Sequence, residues 1–192
     1  MGEISDYVDG LSGYYSGGTS IASQISEYML MKLAGNETIW GDMTKEDVYD
    51  YLETHVYYRG VQDRALPLNL RDHSYMAQEL LYTLKGSEDH LTGTRVMVGH
   101  DGDLDAIASI FGLEWFTPPF PANATTPGSS VRFDVDEVNN VKVTVQYQAF
   151  DGGEELLFAD GTWTWAERRE TVSLQELNEV VGGKLSEECM PP

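Results

Sequence analysis

Apolar positions along the chain fall into two rhythms, one helical and one extended. Ile21, Ile25, Met29 and Leu33 recur every fourth residue. Thr19 and Ser20 precede them as a cap and Gly35 follows as a stop, which predicts a helix with one buried stripe. A second helix is predicted from Thr44, where Thr44-Lys45-Glu46-Asp47 approximates a capping box, to a stop before Gly60. A third carries Met76, Leu80, Leu81 and Leu84 and stops at Gly86. Residues 94–99 read as a strand apolar on both faces, the mark of a central strand in a covered sheet. Ala106, Ile107, Ile110 and Leu113 then form another helix face, closed by Gly112. Beyond the stretch "TPPFPANATTPG", Ser130–Asp136 and Val141–Gln148 alternate with period two around Asn139-Asn140, a hairpin signal. Ser173-Leu174-Gln175-Glu176 is a capping box that opens a last short helix.

The order helices, strand, helix, hairpin, helix predicts α/β layering with a mixed sheet. Residues 1–93 form a mostly helical segment. Residues 94–192 form a strand-helix-hairpin-helix segment that completes the α/β domain, the two together being one domain or part of one. Hydrophobic content of 41% and aromatic content of 11% over 192 residues fit a chain able to bury a core. Charge is the outlier: 12 Lys and Arg against 32 Asp and Glu give −20. So acidic a chain repels phosphate backbones and anionic lipid, so neither nucleic acid nor membrane is an expected partner. The same charge serves solubility, or suits an acidic compartment in which carboxylates are partly neutralised. Cys189 is the only cysteine, which excludes an intrachain disulfide and CxxC-type metal or redox sites. No stretch is long and apolar enough to span a bilayer. "MGEISDYVDG" has neither a basic nor an apolar region, so no signal peptide is read on this chain. The sequons at Asn36 and Asn123 give only weak support for a secretory route.

Candidate chemistry lies where the apolar run stops, at Gly99-His100-Asp101. Open α/β sheets bind ligands beyond the carboxyl ends of their strands, and a following helix offers free N–H groups to an anion. A histidine there can donate to a phosphoryl oxygen, and the neighbouring carboxyl can carry a proton to a departing oxygen: general acid chemistry on a phosphate ester. The plain alternative has His100 bonding a loop carbonyl and Asp101 capping the helix. Asp101, Asp103 and Asp105 have the spacing of the first ligands of a calcium loop, but its sixth and twelfth positions hold Ala106 and Gly112, so that reading fails. "DGDLD" also resembles the Asp-x-Asp of haloacid-dehalogenase-type magnesium phosphatases, over a handful of residues and with Gly99-His100 intervening.

Five further stretches, in one order from Ser16 to Met190, resemble the C-terminal half of the histidine acid phosphatases, which include acid phosphatases and histidine-type phytases. They are "SGGTSIASQISEYMLMKLAG", "DRALPL", "RVMVGHDGDL" with the Gly-His-Asp strand end, "TPPFPANATTPGSSVRFDVD" and "VSLQELNEVVGGKLSEECM". The resemblance implies a phosphoglycerate-mutase-like mixed sheet flanked by helices, incomplete here because the N-terminal strand with the nucleophile motif is missing. It implies hydrolysis of phosphate monoesters through a phosphohistidine, with no cofactor and no metal. His100 becomes the phosphate-contacting histidine and Asp101 the proton donor, each serving an oxygen on which charge develops. Asp101 must be protonated to act, which favours low pH, where His100 is also cationic. Arg64, in "DRALPL", is implied to reach an outer phosphate of a small phosphorylated substrate.

The family's nucleophile lies in R-H-G-x-R-x-P, which this chain lacks. His55, His73 and His90 stand in no such setting, and "YYRG" at Tyr57–Gly60 has the Arg and Gly without the His. The expectation is therefore a C-terminal fragment, or a truncated or divergent product that at most binds phosphate. In the family a cysteine equivalent to Cys189 commonly pairs with an upstream one. Asp103 is a further departure: at an effective dielectric near 20, two charges about 6 Å apart repel by roughly 3 kcal/mol, which weakens anion binding unless the carboxylate points away. Self-association, or pairing with a missing N-terminal half, is expected through the edge of Val96–Val98. A secreted or acidic lumenal location follows from the resemblance.

Overall fold

In a computed structural model, residues 18–39, 41–86, 93–149, 157–165 and 171–185 are described, with 157–165 given as backbone. Helix α1 (Gly18–Ala34) buries Met29 of the predicted stripe and Leu30 beside it, while Ile21, Ile25 and Leu33 are half-buried. Helix α2 (Lys45–Gln62) starts at the predicted capping box: Asp47 N–H donates to Thr44 Oγ1 at 3.2 Å and Thr44 N–H to Asp47 Oδ2 at 2.6 Å. It does not stop before Gly60 but runs through it. Nothing lies within 4 Å of where a Cβ on Gly60 would be, so that glycine is an exposed interior position. Its cost of about 1 kcal/mol is too small to end a helix anchored further on. Helix α3 (Leu66–Lys85) carries Pro67 in its first turn, where a missing N–H leaves no bond unmade, and ends on left-handed Gly86 (φ 60°).

Helix α4 (Asp101–Phe111) is the most deeply set, with Ala106, Ile107, Ala108, Ile110 and Phe111 all buried. Gly112 (φ 72°) caps it and reverses the chain, so Leu113 opens strand β1 (Leu113–Phe116) rather than belonging to the helix face. The predicted hairpin is present as β2 (Ser130–Val135) and β3 (Asn140–Ala149), with Val135 opposite Val141 and Asn139 left-handed in the turn. Strands β4 (Leu157–Trp165) and β5 (Thr171–Ser173) complete a five-stranded sheet of order β1-β4-β3-β2, with β5 paired to β3. Every pairing among the described residues is antiparallel. Ser173 caps the last helix, α5 (Leu174–Gly182), accepting from Glu176 N–H at 3.1 Å.

Two apolar clusters hold these elements. One joins α3, α4 and α5 to the inner face of the sheet through Leu81, Ile110, Phe111, Val141, Val143 and Leu177. The other gathers Leu30, Val48 and Leu52 around Phe120, whose ring meets Tyr49 and Tyr147 edge-on at 5.4 and 6.0 Å.

The segment 94–99 departs from its expectation as a covered central strand. It has no strand partner among the described residues, and Val96 and Val98 are 78% and 94% exposed. Its apolar sequence suits a place inside a sheet, but β1–β5 pair with one another and leave it on the surface.

Candidate active site

Helix α4 begins where that bare segment ends. His100 occupies its N-cap position with extended backbone and an exposed ring. His100 N–H donates to Asp103 Oδ2 at 2.7 Å, the return half of a capping box. Asp103 therefore stays at the site: half-exposed, it folds back onto residues 99 and 100, with Oδ1 3.7 Å from His73 Nε2. A Cβ at Gly99 would sit 2.5 Å from Asp103 Oδ2, so glycine makes room for this carboxylate.

Asp101 takes another direction. Its Oδ1 accepts from Gly102 N–H at 2.8 Å, and its Oδ2 lies 2.9 Å from Arg59 Nη1. Arg59 is the hub of the site. Nε donates to Asp105 Oδ2 at 2.8 Å and lies 3.2 Å from Asp63 Oδ2. Nη2 contacts the same Asp105 oxygen at 2.8 Å without the alignment of a hydrogen bond. One planar fork thus spans two carboxylates that stand four residues apart on one face of α4, a reach that a point charge on Lys could not match. Burial opposes the Arg59 charge, but Asp105, then Asp101 and Asp63, outweigh it and raise its pKa. Asp63 moves upward: burial raises it, and Asp105 and Asp101 add to that against the pull of Arg59.

Asp105 is 1% exposed and fully engaged, with Thr125 Oγ1 donating to its Oδ1 at 2.8 Å and Arg64 Nη1 at 3.4 Å. Arg64 was expected to reach a substrate phosphate. Its Nη2 instead donates to Leu113 O at 2.7 Å and Asn123 Oδ1 at 3.3 Å, and its guanidinium stacks 5.0 Å from the Trp115 ring centre. Burial lowers its pKa against the pull of Asp105. The structure brings His100 and Asp101 together by sequence adjacency and ties Asp101 to Arg59. No hydrogen bond described links Arg64 to either of them.

Of the remaining histidines, His55 Nδ1 bonds Ser23 Oγ at 2.9 Å, and His73 Nδ1 is buried without a partner. His90 and Cys189 lie outside the described residues. Arg59 is the residue that sequence reasoning passed over, although "YYRG" had been singled out. The available signal was the i,i+4 spacing of Arg59 with Asp63 and of Asp101 with Asp105. His100 and Asp103 line a groove of about 1130 Å³, bounded also by α3, segment 94–99 and β2. Asp101 is not among its lining residues, being turned towards α2. Among the described residues no group of three or more His, Cys, Asp or Glu side chains is arranged to hold a metal ion, and no helix is long and apolar enough to cross a membrane.

No family model and no curated protein sequence matches the chain. Solved structures do. The phytase of Hafnia alvei, determined in complex with tartrate, superposes with a TM-score of 0.69 at 18% identity over 92% of this chain. The phytase of Klebsiella sp. ASR1 gives 0.73 at 15% identity, and that of Citrobacter braakii gives 0.70 at 17%, each over 91% of this chain. The chain spans 50% of the length of each. The fold is thus a mixed α/β arrangement of helices and a small antiparallel sheet, similar to the C-terminal half of phytases.

Proposed function

We propose that the chain carries the C-terminal part of a phosphomonoesterase site of the histidine acid phosphatase type, working at acidic pH through a phosphohistidine formed on a residue outside this chain. His100 donates to a phosphoryl oxygen while the nucleophilic nitrogen bonds phosphorus and the ester P–O bond breaks. Asp101 passes its proton to the departing alcohol oxygen, and water then releases phosphate from the histidine. Arg59, at 2.9 Å, offsets the negative charge left on Asp101. The observation that supports this reading is the placement of His100 on the groove, capping α4, with Asp101 next in the chain and held by Arg59, within a fold shared with half a phytase. Arg64 has the least support as a substrate contact, since its donors are engaged inside the protein. A secreted or acidic lumenal setting accompanies the reading.

A second reading, an inactive relative that at most binds phosphate, is favoured by the excess of carboxylate. Asp63, Asp101 and Asp105 surround Arg59, Asp105 also holds Arg64, and Asp103 adds a fourth carboxylate against the His100 backbone. Hydrolysis of p-nitrophenyl phosphate between pH 4 and 6 separates the two. The purified chain alone should turn over little or nothing. A longer product carrying R-H-G-x-R-x-P should be active, and His100→Ala and Asp101→Asn should each abolish that activity. Inactivity of such a product supports the second reading. Turnover that EDTA stops, or that survives His100→Ala, would overturn the first.

A further inference from the structure

Of the two Asn-x-Thr sequons, one is left open by the fold and the other is engaged inside it. Asn36 stands in the turn that ends α1. Glu37 N–H reaches back to Lys32 O at 2.8 Å and Asn36 N–H to Leu33 O at 3.1 Å, with Asn36 left-handed (φ 52°). These are the two reversed bonds of a Schellman motif, in which asparagine stands in for the commoner glycine. Only the Asn36 backbone takes part, so its carboxamide is left over. Asn36, Glu37 and Thr38 are all exposed, and residues 37–39 belong to no helix or strand. No hydrogen bond joins the Asn36 or Thr38 side chain to the described residues. Asn123 is different. Its Oδ1 accepts from Trp115 N–H at 3.0 Å and Arg64 Nη2 at 3.3 Å, and Thr125 Oγ1 donates to the buried Asp105 at 2.8 Å. Ser23 of α1 bonds His55 of α2, and Met29 shares a cluster with Val48, so the two helices run antiparallel and Asn36 lies beside the start of α2. The helical rise from Lys45 to Arg59 puts about 20 Å between that end and the candidate active site.

We propose that Asn36 is an N-glycosylation site and that Asn123, despite its sequon, is not. In the transfer, Asn36 Nδ2 bonds the anomeric carbon of an oligosaccharide carried on a polyprenyl diphosphate. The bond from that carbon to the diphosphate oxygen breaks, Nδ2 gives up a proton, and the lipid diphosphate leaves. The free Thr38 hydroxyl completes the acceptor motif. A bulky, solubilising sugar on the exposed end of α1 disturbs neither apolar cluster and stands clear of His100 and Asp101. At Asn123 the same sugar would be tied to an amide whose oxygen holds Arg64 and the start of β1. The proposal rests on the secreted or lumenal setting and stands whether or not the site hydrolyses phosphate esters.

Secretion of the chain from yeast behind a cleavable signal peptide, followed by peptide-N-glycosidase and peptide mapping, tests the site, because that enzyme leaves aspartate wherever an oligosaccharide was attached. Aspartate should appear at position 36 in the treated sample alone, with asparagine kept at 123. Thr38→Ala, which leaves the Asn36 cap in place, should lose the oligosaccharide, and Thr38→Ser should retain it. Asparagine persisting at 36, aspartate at 123, or an oligosaccharide that survives Thr38→Ala would overturn the proposal. The same mapping on the protein isolated from its own cells tests the setting. Aspartate at 36 is again expected, and an unmodified Asn36 there overturns the proposal through the route it depends on. Neither measurement reads phosphate turnover, so a failure of the phosphatase reading does not register as a failure of this one.

Discussion

Replacing Arg59 with Met removes both guanidinium contacts, each 2.8 Å, from an Asp105 that is 1% exposed. Only Thr125 at 2.8 Å and Arg64 at 3.4 Å then remain to that carboxylate. Stripping one partner from a buried ion pair costs about 3–5 kcal/mol, because the surviving charge is left without compensation. The pair with Asp101, whose side chain is 39% exposed, adds about 1 kcal/mol at most. For a chain of this size each kcal/mol moves the melting temperature by about 2–4 °C, so Arg59→Met should lower it by about 6–20 °C. Urea and thermal unfolding followed by circular dichroism at pH 7 measure this directly. Adding Asp105→Asn removes the stranded charge, so the double variant should be more stable than Arg59→Met alone. The coupling between the two sites should be about 2 kcal/mol or more. A single variant within about 1 kcal/mol of the parent, or a double variant equal to the sum of the singles, would refute the hub.

Gly99→Ala places a methyl 2.5 Å from Asp103 Oδ2 and should push that carboxylate off His100 N–H, costing about 1 kcal/mol, the worth of a helix cap. Equal unfolding midpoints in urea would show the contact to be slack. Asp63 holds its proton more tightly folded than unfolded, because burial raises it above its ordinary 3.8. Its contribution to stability is therefore present below 3.8 and lost as the pH rises through the raised value. Asp63→Asn should accordingly gain melting temperature relative to the parent at pH 7 and little at pH 3. The opposite ordering would contradict the sign.

Periodicity exposed what local chemistry decides. Helix α1, the capping box of α2, the Ser173 cap of α5, the Gly86 stop and the β2–β3 hairpin were legible because each is set by neighbours within a turn or two. Strands β1, β4 and β5 were not legible, since Leu113 pairs with Trp165, and Val141 with Val172, across long separations. Segment 94–99, apolar as a covered central strand would be, is neither assigned as a strand nor covered among the described residues, because pairing and cover are supplied by other chain segments and not by its own sequence. The site shows the same division. His100 and Asp101 announce themselves by following an apolar run, whereas the bonds of Arg59 to Asp101 and Asp105 join α2 to α4 only after both helices pack.

The central claim is that His100 and the start of α4 receive a phosphoryl group. A titration of the chain with inorganic phosphate at pH 5, followed by the amide and imidazole resonances of His100 and the amides of Asp101–Asp103, tests it most directly. The account predicts saturable shifts at those positions in the millimolar range, lost in His100→Ala. No shift at millimolar phosphate, or the same shifts in His100→Ala, would contradict it.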